Sequence, residues 1–312
     1  ERVNRGEKLP IERRKMRIVT LPLGATEDRV IGSLDIEKAI KKGVEALKPG
    51  ILAEANQNVL YIDEINLLPD HLVDDLLDVA ASGWNIVERE GISVKHPAKF
   101  ILIGTMNPEE GELRPQLLDR LPLSVTVKTP ESVKERVEIV RRNIEFERDP
   151  VAFYEKYRGE QEKLRRRIAE ARELLGKVVF PDYLLKAVSE MCVNLHVDGV
   201  RPDIVIYKAA RALAAFKGKL VVGEDEVLLA AELALGHRTR RRGTLEPATP
   251  REVEKAFRAA LEKVRVERKL EKAVLGKVVT GKHSSETVEV DGEGELDTRE
   301  VGEGGEVEEE HW

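Results

Sequence analysis

The run Val59-Leu60-Tyr61-Ile62-Asp63-Glu64 constrains this chain more than any other stretch. It reads as a short apolar strand that ends in two adjacent carboxylates. A buried strand delivers such a pair to the C-terminal edge of a parallel sheet, where open α/β folds bind their ligands. Two acids at that edge suit phosphate chemistry. The first can hold Mg²⁺, mostly through water, because this cation takes oxygen ligands and keeps part of its hydration shell. The second can orient an attacking water or take its proton.

A second apolar strand, Phe100-Ile101-Leu102-Ile103-Gly104, runs into Thr105-Met106-Asn107-Pro108. An uncharged amide such as Asn107 at a strand tip can hydrogen-bond both a γ-phosphate oxygen and the attacking water. Asn107 is equally a residue type found in turns before proline. Next comes Leu117-Leu118-Asp119-Arg120-Leu121, ahead of a third apolar strand over 123–127. Arg120 at a domain edge would reach a neighbour's nucleotide and neutralise transition-state charge. The plainer alternative is a surface ion pair with Asp119 or Glu112. Downstream, Gly199-Val200-Arg201-Pro202 opens a helix, from which Arg201 could reach a nucleotide.

In this order, Asp63-Glu64, Asn107, Arg120 and Arg201 resemble the Walker B acids, sensor 1, arginine finger and sensor 2 of AAA+ ATPases. The stretches LPLGATEDRVIGSLDIEKAI (21–40), VLYIDEINLLPDHLVDDLLDVAASGWNIVEREGISVKHPAKF (59–100) and ILIGTMNPEEGELRPQLLDRLPLSV (101–125) resemble, more narrowly, the ATPase (I-type) subunit of magnesium chelatase. The likeness is near-continuous from about residue 17 to 130. It resumes at Gly199–Ile204 and at His237-Arg238-Thr239-Arg240-Arg241. Leu121-Pro122 departs from the Phe-Gly more usual there.

Such an ATPase needs a glycine-rich GxxxxGK[ST] loop, whose backbone N–H groups and lysine hold phosphates. Residues 1–58 contain none. The near-match Gly276-Lys277-Val278-Val279-Thr280-Gly281-Lys282-His283 has histidine in place of the Mg²⁺-binding hydroxyl and lies beside an acidic tail. It reads as a linker coincidence. The chain opens on Glu1, and the expectation is that the phosphate loop and its strand lie in an N-terminal part not included here. This stretch alone is then expected to be inactive.

Net charge is −6, but residues 281–312 hold twelve acids against two bases, a net of −10, which leaves +4 on the remainder. Glycine-spaced acids with few apolar residues cannot bury enough surface to fold, so a disordered tail or linker is expected. The basic remainder does not point to nucleic acid: Arg238, Arg240, Arg241 and Arg242 form one cluster, and aromatic residues make up only 4%. Base stacking therefore has little to work with. A lone cysteine, Cys192, permits no disulfide within the chain, which agrees with a reducing compartment. No apolar run is long enough to span a membrane. The expected setting is cytoplasmic, with a plastid left open. His71, His96, His196 and His237 are too scattered for a metal cluster.

Periodicity gives a strand over 16–21, helices over 35–47 and 69–81, and a hairpin over 85–95. Beyond Pro130 helices are expected over 131–147, 150–175, 182–195, 201–217, 224–236 and 250–267, with 155–175 as a solvated arm. Strands first and helices after imply an α/β core of the AAA+ P-loop type, a parallel sheet incomplete at its N-terminus, followed by an all-helical lid. The expected domains are 1–130 (core without Walker A), 131–180 (helical linker or arm), 181–270 (lid) and 271–312 (acidic tail).

The resemblance implies ATP and Mg²⁺ as cofactors, with Asp63 on the metal, Glu64 on the hydrolytic water, Asn107 on the γ-phosphate and Arg201 reporting to the lid. It implies that Arg120 acts on the next protomer of a homo-oligomeric ring, a hexamer. It also implies D-type and porphyrin-binding H-type partners and Mg²⁺ insertion into protoporphyrin IX. Two alternatives stand beside this: a related AAA+ motor for cobalt or nickel chelation or metalloenzyme maturation, and a non-hydrolysing D-type scaffold. Scaffolds of that type tend to lose the acids and arginines kept here.

Overall fold

The computed structural model describes residues 14–34, 47–89, 92–111, 113–114, 117, 120–236, 240–241, 244–245 and 248–280. Its central sheet has the order β1–β4–β7, from β1 (Ile18–Leu21), β4 (Val59–Ile62) and β7 (Ile101–Gly104), all parallel. Between β1 and β4 lie α1 (Glu27–Ile31), an antiparallel pair of β2 (Gly32–Leu34) and β3 (Leu47–Pro49), and α2 (Ile51–Ala55). Those four short elements have too few residues to show a period, and the sequence reading missed them. The helix expected over 35–47 falls largely outside the described residues, and Leu47 itself begins β3.

The centre of the sheet is apolar for a plain reason. Leu60 and Ile62 on β4 are fully buried and cluster with Leu21, Leu52, Leu72 and Leu76. Burying a leucine or isoleucine side chain is worth about 1.5–3 kcal/mol each. Leu72 and Leu76 belong to α3 (Asp70–Ser82), whose buried positions follow the helical period and match the helix expected over 69–81. The expected hairpin is β5 (Trp84–Arg89) paired with β6 (Ile92–Pro97). Its buried Asn85 donates from Nδ2 to the Ile31 carbonyl at 2.6 Å and lies 2.8 Å from His96 Nε2, tying the hairpin to the end of α1.

The third apolar strand does not form. Leu123, Val125 and Val127 are exposed, and residues 121–130 hold no strand. A strand exists only against a hydrogen-bonding neighbour, and none borders this segment among the described residues. One backbone group, the Ser124 N–H, finds the Leu233 carbonyl at 2.9 Å. Among the described residues β7 likewise has no strand on its outer side, and Ile101 and Ile103 are about half exposed.

Helices follow: α4 (Val133–Arg148), α5 (Pro150–Leu174), α6 (Asp182–Asn194), α7 (Arg201–Phe216), α8 (Glu224–Leu235) and α9 (Pro250–Thr280), with the two-residue strands β8 (Arg240–Arg241) and β9 (Thr244–Leu245) before α9. Asp149 starts α5 by accepting from the Val151 and Ala152 N–H groups. Neither α4 nor α5 buries a residue fully, as a solvated arm should. The end of α5 departs from that expectation: Arg167 donates to the Phe216 carbonyl at 2.8 Å and stacks on the Phe216 ring, and Ala171 and Leu174 pack on the bundle. That bundle core unites Leu184, Met191, Ile206, Ala210, Ala230 and Phe257. Helix α9 runs past the expected end at 267 to Thr280, because Glu271, Lys272, Ala273 and Leu275 are strong helix formers. The first residues assigned to the tail, and the Gly276–Thr280 part of the phosphate-loop near-match, are therefore helical. Residues 281–312 lie outside the described residues. The C-terminal half of α9, from Arg265 to Thr280, belongs to a separate unit from the rest of the described chain.

Glu226 is fully buried at the start of α8. Burial alone would raise its pKa, but the Lys217 and Lys219 ammonium groups (2.8 and 2.9 Å) and the Gly223 N–H (3.0 Å) outweigh that and bring it down to about 2. A carboxylate depressed on folding stabilises the fold above its unfolded pKa and stops doing so as pH falls through the folded value. Glu226→Gln should therefore cost about 2 kcal/mol at pH 7, the worth of charge-assisted hydrogen bonds. Thermal melting should show the gap from wild type closing as pH is lowered from about 4.5 toward 2. A gap independent of pH would mean that the charge contributes nothing.

Candidate functional site

Parallel register brings the strand tips together. Ile62 pairs with Gly104, so Asp63 and Thr105 emerge side by side. The Thr105 hydroxyl donates to Asp63 Oδ1 at 2.5 Å, and the Tyr61 hydroxyl donates to the same oxygen at 3.0 Å. These two bonds, Thr105 first, hold the exposed Asp63 carboxyl below the usual carboxylate range. Asp63 is thus an ionised oxygen donor, with Oδ2 left over for a hydrated cation. No cluster of three or more His, Cys, Asp or Glu able to hold a metal occurs among the described residues. A single ionised carboxylate oxygen is the kind of donor Mg²⁺ takes, so the residue present fits this ion.

Glu64 adopts a left-handed backbone, φ +53°, uncommon for a residue other than glycine. Thr105 holds it there: the Glu64 N–H donates to Thr105 Oγ1 at 3.2 Å and the Ile65 N–H to the Thr105 carbonyl at 2.9 Å. Gly104 allows the close approach, since a Cβ there would lie 3.0 Å from the Ile65 side chain. Such local strain persists only where neighbours over-determine it, and it turns the chain sharply after Asp63. The Glu64 carboxylate has no hydrogen bond or ion pair among the described residues.

Asn107 performs the turn role that its position before proline suggested. Its Oδ1 accepts from the Glu109 N–H at 3.1 Å and caps the turn Pro108–Glu110. That leaves its NH₂ as an available donor. Asp63, Glu64 and Asn107 thus lie at the ends of adjacent strands. Arg120 and Arg201 are on other elements. Arg120 is exposed, with Nη1 3.5 Å from the Leu77 carbonyl of α3, at the limit of a hydrogen bond. Its suggested partners Asp119 and Glu112 lie outside the described residues. Arg201 is exposed at the first turn of α7 in the helical bundle.

Two residues of the site received no role from sequence. Tyr61 could have been found, because strand alternation puts positions 61 and 63 on one side. Thr105 could not, because its link to both acids depends on strand register.

A parallel sheet with acids at its tips, followed by a helical bundle, defines an AAA-type protein. The AAA domain (dynein-related subfamily) family matches residues 8–121, and the AAA lid domain family matches 185–257. A Cytophaga hutchinsonii crystal structure shares the fold, with a TM-score of 0.50 at 17% identity over 80% of this chain and 76% of that one. The magnesium-chelatase subunit ChlI of Anabaena variabilis is 51% identical over 81% of this chain and 75% of its own length. A magnesium-chelatase subunit ChlI homolog of Methanocaldococcus jannaschii is 59% identical over 78% of this chain, and the chloroplastic ChlI of Oryza sativa is 55% identical over 77%. The chain belongs to the magnesium-chelatase ChlI family. It spans 66% of the Methanocaldococcus relative's length and 58% of the rice relative's. Among the described residues no helix is long and apolar enough to cross a membrane.

Proposed function

We propose that the intact protein is the ATP-hydrolysing motor subunit of a magnesium chelatase, driving Mg²⁺ insertion into protoporphyrin IX. The observation that carries this is the paired acid site, with Asp63 kept ionised and Glu64 turned out of line by one threonine. Bound Mg–ATP would supply the phosphoanhydride bond and the cation that offsets its charge. Asp63 holds that cation, mainly through water. Glu64 orients the attacking water and takes its proton. The Asn107 NH₂ donates toward the γ-phosphate, Arg201 reports from the lid, and Arg120 serves the neighbouring protomer's site. A ring, a D-type partner and a porphyrin-binding H-type partner complete the reading, and the Mg²⁺ inserted is substrate, distinct from the ion at Asp63. The setting is the cytoplasm, or the plastid stroma in a chloroplast-bearing source.

A second reading is a related motor for cobalt or nickel chelation or metalloenzyme maturation. It is favoured by the Methanocaldococcus relative being described as a ChlI homolog only. The test is Mg²⁺-dependent ATP hydrolysis by the intact protein, then formation of Mg-protoporphyrin, followed by absorbance, with D-type and H-type partners added. Hydrolysis with no Mg-protoporphyrin selects the second reading. No hydrolysis at all defeats both and leaves the scaffold.

A further inference from the structure

Asn66 stands two positions after Glu64 in the turn Ile65–Leu67, on the short path between the acid pair and α3. Both polar atoms of its side chain, Oδ1 and Nδ2, are buried and have no hydrogen-bond partner among the described residues. Buried polar groups are nearly always paired, and each exception calls for a reason. Packing alone is not that reason, because an apolar side chain of similar shape would pack without the desolvation penalty.

The geometry indicates what the amide faces. A Cβ placed on Gly111 would lie 3.9 Å from Asn66 Nδ2. Gly111, at φ +136°, closes the turn that begins at Asn107 and so has the backbone freedom of a hinge. Asn66 therefore follows the residue proposed as base by two positions and faces the end of the turn bearing Asn107, with neither end of its own amide paired among the described residues.

We propose that Asn66 is a positioning residue that latches the 107–111 turn to the acid pair when nucleotide binds. In that state its amide pairs with main-chain groups of the turn; without nucleotide it is left unpaired. The unpaired amide destabilises the empty form relative to the loaded one, so nucleotide binding and turn closure are coupled. This rests on the nucleotide reading above.

The test uses the intact protein, with melting measured without nucleotide and with Mg–ATPγS, and with kcat and KM for ATP. Asn66→Leu removes the unpaired amide and should melt about 3 °C higher without nucleotide. The additional rise produced by Mg–ATPγS should shrink by about half or more, kcat should fall about tenfold, and KM should stay within about twofold. Asn66→Ala, which needs no room for a larger side chain, should show the same loss of nucleotide-induced stabilisation and of kcat. A residue that only packs would move the melting temperature and leave the nucleotide response intact. Wild-type nucleotide response and kcat in both variants overturn the latch while leaving the ATPase reading standing. No response to Mg–ATPγS in the wild type removes the nucleotide reading and the latch with it.

Discussion

Glu64→Gln in the intact protein is expected to keep ATP binding and ring assembly while hydrolysis falls by about 10²–10⁴, the usual worth of a positioned general base. The structure explains why binding survives. Glu64 is held in its turn by backbone bonds to Thr105, and these do not depend on its side chain. Glutamine occupies the same backbone conformation at similar cost. Asp63 keeps both its hydrogen bonds from Thr105 and Tyr61, so its ionised oxygen remains available. The substitution therefore removes one capacity, proton acceptance, from an otherwise intact site. Nucleotide binding by calorimetry and phosphate release by a coupled assay would separate the two. If Glu64→Gln hydrolyses ATP at the wild-type rate, Glu64 only shapes the turn and the proposed mechanism is wrong.

A loss of similar or greater size, about 10³–10⁵, is expected for Arg120→Ala if that side chain acts as a finger on its neighbour. Within its own protomer Arg120 has a 3.5 Å approach to the Leu77 carbonyl. Losing so long a contact at an exposed side chain costs little stability, so a large kinetic effect would have to arise at the neighbour's site. The decisive experiment mixes Arg120→Ala with Glu64→Gln, each nearly inactive alone. Some interfaces of a mixed ring then pair an intact Glu64 with an intact Arg120 from the next protomer, and part of the hydrolysis should return. An arginine acting within its own protomer cannot give this result, because neither variant holds both groups. Rings shown by differential tagging to be mixed, yet no more active than the two variants summed, would falsify the assignment in trans.

Much of this was legible in the sequence, for reasons particular to each element. The strand Val59–Ile62 is short, apolar and punctuated by acids, so its burial and the position of Asp63 followed from composition alone. Helices α3 and α6–α8 carry apolar residues at helical spacing between clear stops, and their bounds came out within a residue or two. Local pattern failed where pairing decides the structure. Residues 123–127 have a strand's composition but no neighbour among the described residues, so hydrogen bonding cannot make them one. Helix α9 outlasts its apolar stripe on intrinsic propensity.

The sequence by itself determined which groups the chain possesses: the acids, the Asn107 amide, the two arginines and the family to which they belong. Those are matters of residue type and order, and each is written locally. Only the tertiary structure decided how the groups act on one another. The pairing of Ile62 with Gly104 sets Thr105 against both Asp63 and Glu64, and the fold leaves the Asn66 amide buried and, among the described residues, unpaired. The first depends on residues some forty positions apart coming within hydrogen-bonding reach, and a hydrogen bond forms only over the last few tenths of an ångström. No local run of sequence specifies a distance that fine.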